Sequence, residues 1–105
     1  MAFSAAFIAH APDADPDETK AFIETPLYRL FVVVVADQEQ AVKTAKALVA
    51  DEGIQSIMLC PGFANRDVAG IQDAVGDGVG VFVARGDGPG GRISGEVISR
   101  EWGRG

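Results

Sequence analysis

The chain has 105 residues, a formal net charge of −6 and a pI of about 4.5. This length is typical of a single domain and allows one hydrophobic core. The acidic balance disfavours nonspecific contact with nucleic acid, and the longest apolar run, LFVVVVA at residues 30–36, is too short to cross a bilayer. We therefore expect a cytoplasmic protein with neither a nucleic-acid nor a membrane partner.

Cysteine and histidine are each used once in the sequence. Cys60 has no second cysteine to form an internal disulfide, and no Cys/His cluster has the spacing of a zinc site. This predicts a reducing compartment, no metal site and no cofactor. The first residues, MAFSAAFIAH, lack a basic start and lead into a polar segment, which favours a first strand over a signal peptide.

Four apolar runs, at residues 3–9, 27–36, 54–60 and 79–84, are rich in Val, Ile and Phe. They lack alternation with polar residues, which is typical of strands buried on both faces. Each of the three segments between them carries helix signals. The alternation predicts the order βαβαβαβ and a mostly parallel sheet of four or five strands.

The first intervening segment predicts a short helix from Asp15 to Thr25. Asp15 is its N-cap, Pro16 its first residue and Glu18 its third, and Pro26 ends it.

The second and third helices have clearer boundaries. The second is capped by Asp37 and ends at Gly53, and its apolar residues form one stripe. The third begins at Asn65 and ends at Gly76. The sequence thus predicts an α/β fold, a single small three-layer domain with its core in residues 1–85.

Beyond the core, GDGPGG at residues 86–91 predicts a loop, and residues 92–105 predict a C-terminal arm or edge strand. Ile93, Val97, Ile98 and Trp102 give this arm a loosely amphipathic pattern. A hydrophobic tail on a small domain often covers a neighbouring subunit. We therefore expect a homo-oligomer, most simply a dimer, formed through the arm.

Ligands of open parallel sheets bind outside the carboxyl ends of the strands. His10, Cys60 and Arg85 follow the first, third and fourth predicted strands. His10 and Cys60 are the candidate catalytic residues, because imidazole exchanges protons near neutral pH and a thiol can act as an acid–base or pocket-wall group. The alternative for His10 is a loop residue hydrogen-bonded to Asp13 or Asp15.

Three further residues are candidates for binding the substrate. Arg85 is suited to a carboxylate or phosphate, and Asn65 and Arg66 begin the third predicted helix. The expected ligand is a small anionic or carbonyl-containing metabolite. The alternative for Arg85 is an ion pair with Asp87 or Glu96.

The stretch IMLCPGFANRD, residues 57–67, has the cysteine–five residues–arginine spacing of the phosphate loop of cysteine-dependent phosphatases. Several details oppose that chemistry. Asp67 follows the arginine where Ser or Thr is usual, Phe63 and Ala64 replace glycines, and an acidic first turn weakens the helix end that should activate a thiolate. The alternative is a small buried strand-end cysteine.

Residues 86–91 also fit the pattern G-x-G-x-x-G. We expect no helix after them, Pro89 interrupts them, and the chain ends before the position, about 20 residues further on, where an acidic residue would bind a ribose. A dinucleotide site is therefore not predicted.

The chain resembles a group of small uncharacterised bacterial proteins, about 100 residues long, that form a domain of unknown function. The resemblance rests on FIET at residues 22–25, on the helix AVKTAKALVADEGI leading into IMLCPGF at residues 57–63, and on the glycine-bounded strand that follows. It covers residues 3–85 and implies a compact α/β fold. It implies no catalytic residue.

These observations favour a small-molecule metabolic enzyme of cofactor-free lyase or isomerase type, with a pocket at the carboxyl ends of the strands. The alternative is a non-catalytic ligand-binding or accessory module. A convergent polar pocket would favour the enzyme, whereas an exposed apolar patch around Ile93, Val97 and Trp102 would favour the module.

Overall fold

A computed structural model describes residues 1–103 of the chain. It contains five strands, β1 (Phe3–His10), β2 (Lys20–Thr25), β3 (Tyr28–Val35), β4 (Ser56–Leu59) and β5 (Gly80–Val83). The helices are α1 (Gln38–Glu52), α2 (Asn65–Val75) and α3 (Gly88–Glu101). The fold is α/β, as predicted, and the domain is a single compact unit.

The strands form one sheet in the order β2-β3-β1-β4-β5. β1 lies between β3 and β4 and is parallel to both, and β4 is parallel to β5. Only β2 is antiparallel to its neighbour, β3. The prediction of a mostly parallel sheet is confirmed.

The predicted helix from Asp15 to Thr25 is wrong. Asp15 does begin a turn, in which its carboxylate accepts a hydrogen bond from the Asp17 amide at 3.1 Å. The Thr19 hydroxyl then donates to the Val34 carbonyl at 2.8 Å, which ties the chain to β3 after a single turn. The next residues, KAFIET, continue as β2, an exposed edge strand.

The element order therefore differs from βαβαβαβ. β2 and β3 form a hairpin joined by Pro26 and Leu27, so the order is βββαβαβα. Pro26 ends a strand rather than a helix, in keeping with the two roles of proline as a turn former and a helix breaker.

The boundaries of α1 and α2 agree with the sequence. The Asp37 carboxylate accepts a hydrogen bond from the Gln40 amide at 2.8 Å, and Gly53 closes α1 with φ +66°. That left-handed conformation favours glycine. α2 runs from Asn65 to Val75 and ends at Gly76.

The core lies between the sheet and one helix layer. α1 and α2 pack against each other and against the same sheet face, where Ile8, Ile57 and Leu59 are fully buried. Ala41 and Ala45 of α1 are also fully buried. Their small side chains let the helix lie close to the strands, and one continuous cluster results.

The prediction of three layers is wrong for the described residues, because α1 and α2 share one face of the sheet and α3 lies on neither face.

We call the sheet face opposite α1 and α2 the open sheet face. Its residues follow from strand alternation and the observed register, and none is charged. They are Phe3, Ala5, Phe7 and Ala9 of β1; Ala21, Ile23 and Thr25 of β2; Tyr28, Leu30, Val32 and Val34 of β3; Ser56 and Met58 of β4; Gly80 and Phe82 of β5.

α3 occupies the region predicted as a loop followed by an arm or edge strand. The helix begins at Gly88, so only residues 84–87 connect it to β5. All of its residues except Gly91 are exposed. Over residues 1–103, no helix has both the length and the apolar character needed to span a membrane. The part of the predicted arm at residues 104–105 lies outside the described residues.

Candidate functional site

The sheet places three predicted site residues at the carboxyl ends of three consecutive strands. His10 is the last residue of β1, Cys60 follows β4, and Arg85 lies two residues beyond β5. The order β1-β4-β5 makes these strands neighbours. Neighbouring strands are about 4.8 Å apart, so the three residues share one edge of the sheet.

The connections that follow β1 and β4 leave these neighbouring strands in opposite directions along the sheet. After β1 it passes to the β2–β3 side of the sheet, whereas after β4 it passes through α2 to β5 on the opposite side. Such a divergence marks the edge at which open parallel sheets usually bind their ligands. His10 and Cys60 are the strand-end residues on the two sides of this divergence.

Gly62 lies between these two side chains. A Cβ atom placed on Gly62 would be 3.5 Å from Cys60 Sγ and 3.9 Å from His10 Cβ. The missing side chain leaves room for about one carbon atom between the two candidate catalytic residues. We call this space the strand-end crevice.

Cys60 is half-buried and packs against the core. Its amide donates to the Ile8 carbonyl at 3.1 Å, which extends the β1–β4 pairing by one residue. Its carbonyl accepts from the Phe63 amide at 3.2 Å, so the chain turns sharply over Pro61 and Gly62. The thiol is therefore held by backbone bonds on both sides.

His10 is exposed, and its ring meets the ring of Phe63 edge-on, with centroids 6.3 Å apart and planes at 75°. Phe63 is itself buried in the core. A fixed aromatic ring thus orients the imidazole at the edge of the crevice. Sequence reasoning missed Phe63 and Gly62, although an aromatic residue directly after a strand-end turn was the available signal.

Arg85 is exposed and bound to Asp87, which accepts a hydrogen bond from Arg85 Nη2. The guanidinium lowers the pKa of the Asp87 carboxyl, and a backbone hydrogen bond at Asp87 lowers it further. Of the two partners considered from the sequence, Asp87 is the one observed, and Glu96 instead lies 3.9 Å from Arg92.

Asn65 and Arg66 lie in the first turn of α2, and both are exposed. Asp67 Oδ2 accepts a hydrogen bond from the Ala64 amide at 2.9 Å. One backbone amide that a phosphatase loop would direct at an oxyanion is therefore already occupied by a carboxylate. This contact argues further against cysteine-phosphatase chemistry.

A shallow cleft of about 370 Å³ adjoins the crevice. Pro61, Gly62 and Arg85 form one side, and residues 90–98 of α3 form the other. The expectation that no helix follows residues 86–91 is wrong, since α3 begins within them. A side chain at Gly91 would overlap the carbonyl oxygen of Gly86, so glycine there permits the tight approach of α3 to the turn.

Possible metal ligands do not converge in the described part of the chain. Among residues 1–103, no group of three His, Cys, Asp or Glu side chains is placed to hold a metal ion.

Comparison with known families identifies this domain. The model of DUF6506, a family of unknown function, matches residues 3–94 of the 105-residue chain. The chain therefore belongs to this family, which confirms the resemblance to a small uncharacterised domain. No curated protein and no solved structure matches the chain.

Proposed function

We propose that this member of DUF6506 binds a small anionic or carbonyl-containing metabolite in the strand-end crevice and catalyses a proton transfer on it, as a cofactor-free enzyme of lyase or isomerase type. One observation carries the proposal. His10 and Cys60 border the same space around Gly62, at the point where the chain diverges between β1 and β4.

The proposed step uses His10 as the base. The imidazole takes a proton from the carbon next to the ligand carbonyl, and the C–H electron pair moves into an enolate. If the proton returns to a neighbouring atom the product is an isomer, and if the electrons expel a group from the next carbon the reaction is an elimination. Cys60, at the crevice wall, is the candidate donor for the returning proton.

The anionic part of the ligand is assigned to the cationic and amide groups on the same edge. Arg85 lies two residues beyond β5, and Asn65 and Arg66 begin α2, whose N-terminus favours negative charge. Because Asp87 holds the Arg85 guanidinium, an anionic ligand must compete with that carboxylate for it.

A thermal-unfolding screen tests binding. The probes are inorganic phosphate, small carboxylic acids, and aldehydes and ketones, each added separately to the purified protein. A ligand at about 100 times its dissociation constant adds roughly 2.7 kcal/mol, which raises the midpoint of a domain of this size by several degrees. We expect one class to give this shift in the wild type and in a Lys46→Gln surface control, and not in Gly62→Val, which fills the space beside His10 and Cys60. A flat screen would contradict the proposal.

Deuterium exchange tests the chemistry. In D₂O, a base that removes a carbon-bound proton replaces it with deuterium, which NMR of the bound compound detects. The wild type should label the ligand carbon, His10→Gln should not, and Cys60→Ser should retain labelling but slow product formation. Binding without exchange would reject the enzymatic part and leave a ligand-binding protein.

A non-catalytic accessory module is the second candidate. It is favoured by the exposed apolar residues of α3, with Ile93 54% and Trp102 46% exposed. This candidate predicts no response to small molecules and stable association with another protein surface. The screen above therefore separates the two.

A further inference from the structure

The open sheet face is an apolar surface that nothing covers in the described chain. Ile23, Met58 and Phe82 on it are 56%, 48% and 56% exposed. Parallel strands are normally covered on both faces, because their crossover helices lie there. Here the crossovers α1 and α2 share one face, so the other needs a covering from elsewhere.

α3 is a helix that lacks the packing it needs. Four of its 14 residues, Gly88, Gly90, Gly91 and Gly95, are glycine. Each glycine inside a helix costs about 1 kcal/mol relative to alanine, and isolated helices of this length are marginal in water. The large apolar residues of α3 are nevertheless exposed. This composition favours a helix that is stabilised by docking.

We propose that two copies of the chain form a dimer by exchanging these elements, with α3 of each copy lying across the open sheet face of the other. Each chain offers one uncovered sheet face and one unused helix, so a reciprocal pair satisfies both surfaces in both copies. The arrangement supplies the missing third layer to each sheet. This inference stands apart from the ligand site.

The dimensions of the two surfaces agree. A 14-residue helix is about 21 Å long. Five strands spaced about 4.8 Å apart span about 19 Å from the first to the last. α3 is therefore long enough to cross every strand of the partner sheet.

The open sheet face also contains a depression that could accept a large side chain. A depression of about 300 Å³ lies over Ala5, where the small side chain leaves a gap between Phe7, Leu30 and Met58. Trp102, the largest apolar residue at the end of α3, suits such a depression.

The contact area is that of a small protein–protein interface. A helix about 21 Å long and about 10 Å wide has a footprint of about 210 Å² on each surface that it joins. Each copy contributes one helix and one sheet face, so about 420 Å² per copy, or about 840 Å² in total, is covered, which is at the low end for specific association. The uncharged face also lets two copies of charge −6 meet where repulsion is least.

The position of α3 favours exchange over folding back onto its own sheet. Residues 90–98 of α3 line a cleft with Pro61 and Gly62 at the strand-end edge, and the linker of residues 84–87 is short. The described chain measures 42 × 25 × 25 Å, which is elongated for this length. The helix therefore lies beyond the strand-end edge of its own sheet and not across either face.

The test uses one charge on each proposed surface. Val97→Asp alters the apolar side of α3, and Met58→Lys alters the open sheet face at an exposed position. Ser99→Asp is the matched control, because two residues along a helix is about 200° around it, on the opposite side. Phe82→Lys is a second face variant at the sheet edge. Circular dichroism and thermal unfolding confirm that each variant is folded.

Light scattering after size-exclusion chromatography gives the mass of each sample. We expect dimers for the wild type and Ser99→Asp, and monomers for Val97→Asp and both face variants. Mixing Val97→Asp with Met58→Lys should restore a dimer. In the mixed pair, the unaltered α3 of the Met58→Lys copy meets the unaltered sheet face of the Val97→Asp copy. In the second contact, the introduced aspartate of one copy lies against the introduced lysine of the other.

Each contrary result overturns the exchange. A monomeric wild type would mean that α3 docks on its own sheet or on another protein. A dimeric Val97→Asp would mean that the sheet faces pack directly on each other. A dimeric Met58→Lys together with a dimeric Phe82→Lys would place the interface elsewhere, and folded variants that stay monomeric when mixed would exclude reciprocal docking.

Discussion

Asp87 accepts a hydrogen bond from the Arg85 guanidinium across the turn that follows β5. The two residues are exposed, so the contact is weak in water and easily exchanged for another partner. A candidate anion-binding arginine is therefore held by a replaceable carboxylate.

The pair makes anion binding depend on Asp87. In Asp87→Asn the guanidinium loses its charged partner, so we expect tighter binding of any anionic ligand found in the screen, by a few-fold. Isothermal titration calorimetry measures this change. Equal affinity in Asp87→Asn and the wild type would show that Arg85 does not contact the ligand.

The pH dependence of the pair has a definite sign. Arg85 lowers the pKa of the Asp87 carboxyl, so the contact is present at neutral pH and is lost as the pH falls through that lowered pKa. Carbon-detected NMR of Asp87 should show the pKa moving back up toward its ordinary value in Arg85→Gln. An unchanged titration would contradict the contact.

Gly62 should determine whether the strand-end crevice is open. Gly62→Val fills the space beside Cys60 and His10, so the thermal shift caused by the ligand should disappear while the unfolding midpoint without ligand changes little. Gly62→Ala is the milder control, because its single carbon meets both neighbours at ordinary contact distances. A ligand shift retained in Gly62→Val would place the site elsewhere.

Phe63 should contribute both stability and orientation. Phe63→Ala removes a buried ring and should lower the free energy of unfolding by about 3–5 kcal/mol, measured by urea denaturation. Phe63→Leu keeps most of the volume but loses the edge contact with His10. It should therefore stay folded and show a slower deuterium exchange, whereas a rate equal to the wild type would rule out an orienting role.

The N-cap of α1 gives a test of the fold alone. Asp37→Ala removes the acceptor of the Gln40 amide and should cost about 1 kcal/mol of unfolding free energy. Asp51→Ala, at the opposite end of the same helix, removes a charge that the helix dipole disfavours and should be neutral or slightly stabilising. Equal losses in the two variants would contradict a specific cap.

Helix ends with a local chemical signal could be predicted from the sequence. Asp37, Gly53 and Gly76 fix the ends of α1 and α2 through side-chain capping or backbone geometry, which depend on a few adjacent residues. The strand-end positions of His10 and Cys60 could also be predicted, because each residue lies at the end of an apolar run and parallel strands end at the same edge of a sheet.

The hairpin could not be predicted in this way, because two local signals conflict there. Asp15 and Pro16 begin a turn as an N-cap should, but Phe22 and Ile23 favour a strand once β3 offers them an edge. The choice depends on a partner strand later in the chain. The glycines of residues 86–91 likewise favour a loop locally, although α3 begins among them.

Cys60 is the chain's only thiol, and it stands half-buried at the wall of the strand-end crevice. A maleimide or disulfide reagent can therefore modify the protein at one site only. Its reaction rate depends on the fraction of molecules in which no ligand covers the Cys60 thiol. A fluorophore attached there would report occupancy without any introduced residue. Candidate ligands can thus be identified as compounds that slow the labelling of Cys60, before any reaction is known.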